Sequence, residues 1–205
     1  MDTSTSLTPA ADHIDIRNAA VGAVKSDLAT AQVAALGVVT ADGAHVKQAG
    51  ALVVGGTRVD MQQGAALAVV SRQSLSFAQG GAVGFLAGRD MSVAQGGGQF
   101  IVSAGNMNFA QGGGQFIVSA GNMTLTQGGG GIVLNAGGMS VTQGGVGVAV
   151  SPRVEAKGAT VGVILAAKVE GNVTTVLDTP RALAFGAAVG LVGGLVYGLL
   201  ARRRK

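Results

Sequence analysis

One sixteen-residue unit recurs, almost letter for letter, through the middle of the chain. MSVAQGGGQFIVSAGN (91–106) runs directly into MNFAQGGGQFIVSAGN (107–122), then MTLTQGGGGIVLNAGG (123–138) and MSVTQGGVGVAVSPR (139–153). LSFAQGGAVGFLAGRD (75–90) and VDMQQGAALAVVSRQS (59–74) precede them. Fainter copies start at Ala44, Leu28 and Ile14, and VEAKGATVGVILAAK (154–168) closes the series. A unit of 14 to 16 residues is too short for a pair of helices but fits one turn of a parallel β-solenoid, whose strands stack at ~4.8 Å. The expected fold is therefore all-β: a parallel β-solenoid (β-helix) of about 10–11 coils over residues 14–178.

Aligned copies give columns that test this reading. Position one is apolar throughout: Ile14, Leu28, Ala44, Val59, Leu75, Met91, Met107, Met123, Met139, Val154 and Val169. Position three is nearly so, from Ile16 through Val46, Met61, Phe77, Val93, Phe109 and Leu125 to Val141, while position two between them is mostly polar. Alternation with period two marks a strand with one buried face. Position five carries Gln32, Gln48, Gln63, Gln79, Gln95, Gln111, Gln127 and Gln143, with Asn18 before them. Identical amides stacked in register hydrogen-bond along the axis, so this column is expected to be a structural ladder. The glycines that follow supply the backbone freedom of a corner.

Alternation is lost in the second half of each unit. Position eleven is apolar (Val24, Val38, Val54, Val69, Phe85, Ile101, Ile117, Val133, Ile164), and so are both its neighbours. Position ten carries Phe100, Phe116, Ile132, Val148 and Val163, and position twelve Leu86, Val102, Val118, Leu134, Val150 and Leu165. A strand apolar on both faces is expected to be covered on both. One face meets the solenoid core, and the outer stripe calls for lipid, a helix of the same chain or another subunit.

Charge is confined in an unusual way. Up to residue 181 the chain has ten Lys/Arg and ten Asp/Glu, so the net charge of +4 is entirely Arg202, Arg203, Arg204 and Lys205. A nucleic-acid surface needs basic groups spread along a face, with aromatics for stacking, and neither occurs. The basic end instead follows 182–201, twenty residues without a charge. As a helix these span ~30 Å, the thickness of a bilayer's hydrocarbon core. Thr179 and Pro180 suit the cap and first turn of such a helix, and Tyr197 suits a headgroup region. Gly186, Gly190, Gly194 and Gly198 fall on one face and form a seam for close helix packing. A transmembrane α-helix is thus expected over 179–201, with 202–205 a cytoplasmic tail marking topology and touching lipid headgroups. Residues 1–13 lack the basic and apolar regions of a secretion signal and are expected to form a disordered arm.

Chemistry-bearing residues are sparse. Cysteine is absent, and His13 and His45 are the only histidines, neither at metal spacing with another ligand. Asp15, Asp60, Glu155 and Glu170 share the outward column but lie in distant coils or at the ends, and offer no acid/base pair. The QGGG corners lack the Lys-Ser/Thr of a phosphate loop, and the glycines lack the Asp of calcium-binding nonapeptides. A non-enzymatic protein without cofactor, metal or small-molecule substrate is expected. Its partners would be the lipid bilayer and further copies of itself, in a structural or scaffolding role at the cell membrane. The alternative starts from the absence of any charge between Asp90 and Arg153. Four uncharged coils (91–152) stack to ~19 Å, and in that reading they cross the bilayer as part of an oligomeric pore or transport-like assembly.

Overall fold

The structure, a computed structural model, describes residues 13–175, and within them every regular element is a β-strand. The strands are β1 (His13–Arg17), β2 (Ala20–Gln32), β3 (Ala35–Lys47), β4 (Gly50–Gln62) and β5 (Gly64–Ala87). Then come β6 (Met91–Ser103), β7 (Met107–Ser119), β8 (Met123–Thr126) and β9 (Gly128–Asn135). The last four are β10 (Gly138–Thr142), β11 (Gly145–Val150), β12 (Arg153–Leu165) and β13 (Lys168–Thr175). They form one sheet in which every pairing is parallel, coil upon coil. The fold is an all-β parallel β-solenoid of about eleven turns.

Coils 1 to 11 start at Ile14, Ala29, Ala44, Val59, Leu75, Met91, Met107, Met123, Met139, Val154 and Val169. Coil 2 corrects the sequence alignment by one residue. Ala29, not Leu28, lies over Ile14, and Val39, not Val38, lies over Val24. Apolar content favours Leu28 as the inward residue, but a one-residue shift turns every side chain over. Coil 2 resolves this by pointing Ala29 and Ala31 inward and filling the space they leave with Leu36, all three buried.

The same exchange of volume runs through the whole core. The column holding Leu36 continues through Ala51, Ala66 and Ala82 to Gly98, Gly114 and Gly130. It shrinks as its neighbours grow to Phe77, Phe85, Phe109, Ile101 and Ile117, all buried. A Cβ on Gly114 would stand 2.8 Å from Cδ1 of Ile101, so the column must be empty there. In coil 9, where Ala149 replaces the larger residue, Val146 returns to it. Close packing at constant cross-section forces this compensation between columns. Phe77 and Phe85 meet edge to face at 5.1 Å in coil 5.

Coils 4 to 8 hold one more residue than the coils at either end, and the extra residue sits in the turn. It enters at Arg72–Gln73, where the register against coil 3 shifts, and is lost again at Pro152. The roomier turn at 104–106 and 120–122 carries its own ladder. Asp90 Oδ1 accepts the N–H of Asn106 at 2.9 Å, and Asn106 Oδ1 accepts that of Asn122 at 3.0 Å. Asn122 Oδ1 accepts the N–H of Gly138 at 2.9 Å. Turn N–H groups without a strand partner are thereby satisfied by the coil below.

Among the described residues no helix is long and apolar enough to cross a membrane. The expected helix over 179–201 with its glycine seam, the tail 202–205 and residues 1–12 of the expected arm lie outside the described residues. His13, placed in that arm by the sequence, opens β1 with its side chain exposed.

Candidate interaction surface

The glutamine column takes its geometry from the corner after the first strand of each coil. In coils 3, 4, 8 and 9 the glutamine itself adopts the left-handed conformation, with φ of 50° to 55°. In coils 5 to 7 the following glycine takes the positive φ instead, as Gly112 does at +128°. Both corners project the amide outward at the same place. Gln48, Gln63, Gln79, Gln95, Gln111, Gln127 and Gln143 are joined in sequence, each Nε2 donating to the next Oε1 at 2.7 to 3.3 Å. Gln32 is not part of this column. It stacks between Arg17 and Lys47, one place earlier, and Val33 occupies the corner above Asn18. At the other end Gly158 stands at the corner of coil 10 (φ +63°), so the ladder stops at Gln143. All of these amides are exposed, and their mutual bonds leave little unmet demand for a ligand.

Outward columns on the first strand are polar. His45 lies between Thr30 and Asp60, and Ser92, Asn108, Thr124 and Ser140 follow in register. Glu155 and Glu170 stack in the last two coils, paired with Lys157 at 2.8 Å and with Lys168. The hydrogen bond and charge of Lys168 hold the Glu170 carboxyl below its ordinary range, and Glu155 raises the Lys157 ammonium by the same two effects. These are solvated surface pairs. Among the described residues no three His, Cys, Asp or Glu side chains gather as a metal site.

The second strand presents a different surface. Phe100, Phe116, Ile132 and Val163 stand in one outward column, with Val148 half-buried among them. Leu86, Val102, Val118, Leu134 and Leu165 stand in the next outward column, with Val150 half-buried. Phe100 is 53% exposed and stacks on Phe116 at 5.4 Å with the rings nearly parallel. In the single chain, then, the outer face that the sequence expects to be covered is open. Two adjacent apolar columns, five and six coils long, up to about 29 Å of rod, form a larger continuous patch than scattered surface leucines would.

Beside the second of these columns a groove follows the rod axis. Its high wall is Val102, Val118 and Leu134, and its low wall is Ala104, Ala120 and Ala136. Its floor is a buried polar column, Ser103, Ser119 and Asn135. Ser119 Oγ donates to the carbonyl of Gly105 at 3.0 Å and Ser151 Oγ to that of Gly137 at 2.8 Å, tying the turns to the strands. The apolar part of the groove has a volume of about 850 Å³. Toward the N-terminal coils the same groove continues past Val70 as a polar cleft of about 400 Å³, flanked by Lys25, Thr40, Asp27, Asp42, Thr57 and Arg72. One furrow thus has a charged end and an apolar end, a feature the sequence reading missed. Its signal is Asp27, Asp42 and Thr57 at intervals of fifteen, then Ala104, Ala120 and Ala136 at intervals of sixteen.

Comparison with protein-family models, curated proteins and solved structures finds no match to this chain.

Proposed function

We propose that this protein is a non-enzymatic structural element of the cell membrane. In this reading 179–201 fastens a rigid β-solenoid to the bilayer, the basic tail stays in the cytoplasm, and copies associate laterally into a scaffold. The observation that carries the reading is the pair of exposed apolar columns through Phe116 and Val118. An exposed apolar face of this length on a stiff rod is a surface made to be covered. The regular core and the glutamine ladder supply stiffness. Among the described residues the outward polar groups are self-paired or solvated and leave no constellation of nucleophile, base and orienting group.

The anchor is tested by alkaline extraction of membranes holding the full chain or a chain lacking 179–205. The full chain should stay in the pellet, and the truncated chain should be released while still associating with itself. A truncated chain that remains in the pellet and dissolves only in detergent would favour the second reading, in which coils 91–152 cross the bilayer. The 62 residues without a charge between Asp90 and Arg153 support that alternative. Recovery of the full chain in the alkaline supernatant would contradict both.

A further inference from the structure

We infer that two copies pack side by side and parallel, about a twofold axis running along the rod. The outward column of each copy then seats in the axial groove of the other. This rests on the lateral association proposed above and specifies its geometry.

The furrow is self-complementary at its two ends when the copies are parallel, with Val70 over Arg72 between them. Its two borders are the column Lys25, Thr40, Gly55, Val70, Leu86, Val102, Val118, Leu134 and the column Asp27, Asp42, Thr57, Arg72, Gly88, Ala104, Ala120, Ala136. A twofold axis along the groove brings the first column of one copy over the second column of its mate, coil for coil. Val102, Val118 and Leu134 then lie over Ala104, Ala120 and Ala136, large against small. Lys25 lies over Asp27 of the second copy, and Thr40 over Asp42 of the second copy. Among the described residues the ion pairs are Arg17–Asp15, Lys157–Glu155 and Lys168–Glu170, so within one chain Lys25 and Asp27 form none. The second copy supplies the missing partner.

Antiparallel packing fails on the same residues. It would press Lys25, Asp27 and Asp42 of one copy onto the apolar end of the other, where nothing answers their charge. A parallel pair also puts Thr175 of both copies at one end of the rod. The furrow runs ~38 Å from coil 1 to coil 9.

The chain contains no cysteine, so single cysteines report its neighbours cleanly. Thr40→Cys and Leu134→Cys lie six coils apart, ~29 Å along the rod. In the full chain in mild detergent, each variant should cross-link to its own kind through a short bismaleimide. An antiparallel pair can bring only one height onto itself. Cross-linking at one height alone, or at neither in a chain that still sediments as an oligomer, overturns this geometry and leaves the scaffold reading standing. A chain that sediments as a monomer overturns both. Charge exchange gives a second readout that does not depend on the cysteines. Lys25→Asp should weaken association about tenfold, and adding Asp27→Lys should restore it. Failure of the double variant to recover would also overturn the geometry.

Discussion

The side-chain amide of Gln79 donates to that of Gln95 at 2.7 Å, the shortest rung of a ladder that climbs from Gln48 to Gln143. Every rung points the same way, so each amide between the two ends is at once donor to the coil above and acceptor from the coil below. Chains of this kind polarise one another, although exposure to water limits what each bond contributes. Gln111→Ala removes two rungs and is expected to cost about 1–2 kcal/mol. Gln32→Ala removes none and should cost less than about 0.5 kcal/mol. Urea denaturation of both variants checks the difference. Equal costs would mean that the ladder adds nothing to stability.

Val33 holds a left-handed corner at φ 48°, where the equivalent residues are Asn18 and Gln48. A β-branched side chain is strained in that conformation, by roughly 1–2 kcal/mol. Val33 is also 53% exposed, so little packing is lost on replacement. Val33→Asn or Val33→Gly is therefore expected to stabilise the protein by about 1 kcal/mol, seen as a raised urea midpoint with an unchanged slope.

Gly112 and Gly84 make opposite predictions for one substitution. A Cβ on Gly112 would lie 1.8 Å from the carbonyl oxygen of Gly96, at a φ of +128°. A Cβ on Gly84 meets nothing within 4 Å. Gly112→Ala should cost more than about 3 kcal/mol, since the coils must separate to admit it. Gly84→Ala should be neutral or slightly stabilising, by up to about 1 kcal/mol, through the unfolded chain. Thermal unfolding of the two variants ranks them.

Asn135 interrupts the serine column formed by Ser103, Ser119 and Ser151. Its Nδ2 reaches Ser151 Oγ at 3.4 Å, while its Oδ1 is buried without a partner. Asn135→Ser lets a hydroxyl donate to the turn as its neighbours do, and removes a buried acceptor that costs about 1–3 kcal/mol. The variant should unfold at higher urea. A lower midpoint would contradict this.

Much of this was legible before any coordinates, because near-identity at sixteen residues fixes both the period and the columns. The Met91–Met107–Met123–Met139 stack and the rungs from Gln48 to Gln143 follow directly from it. Coil 2 was not legible. There the repeat has decayed and shortened to fifteen, so hydrophobicity favours Leu28 and Val38, and residue identity favours Gln32, in columns that belong to Ala29, Val39 and Val33. Only the volume compensation by Leu36 sets the register, and that is a property of neighbouring coils together. The furrow was missed for a related reason. Its borders change from Lys25 and Asp27 to Val118 and Ala120 along the rod, so no single residue type marks it.

Sedimentation velocity of the full chain in mild detergent, beside the variant Phe116→Glu/Val118→Asp, tests the central claim most directly. Both substituted residues are exposed, so the variant should keep the strand spectrum of the parent. The account predicts a parent that sediments as an oligomer with concentration-dependent mass, and a variant that sediments as a monomer. A monomeric parent, or a variant that assembles as the parent does, would contradict it.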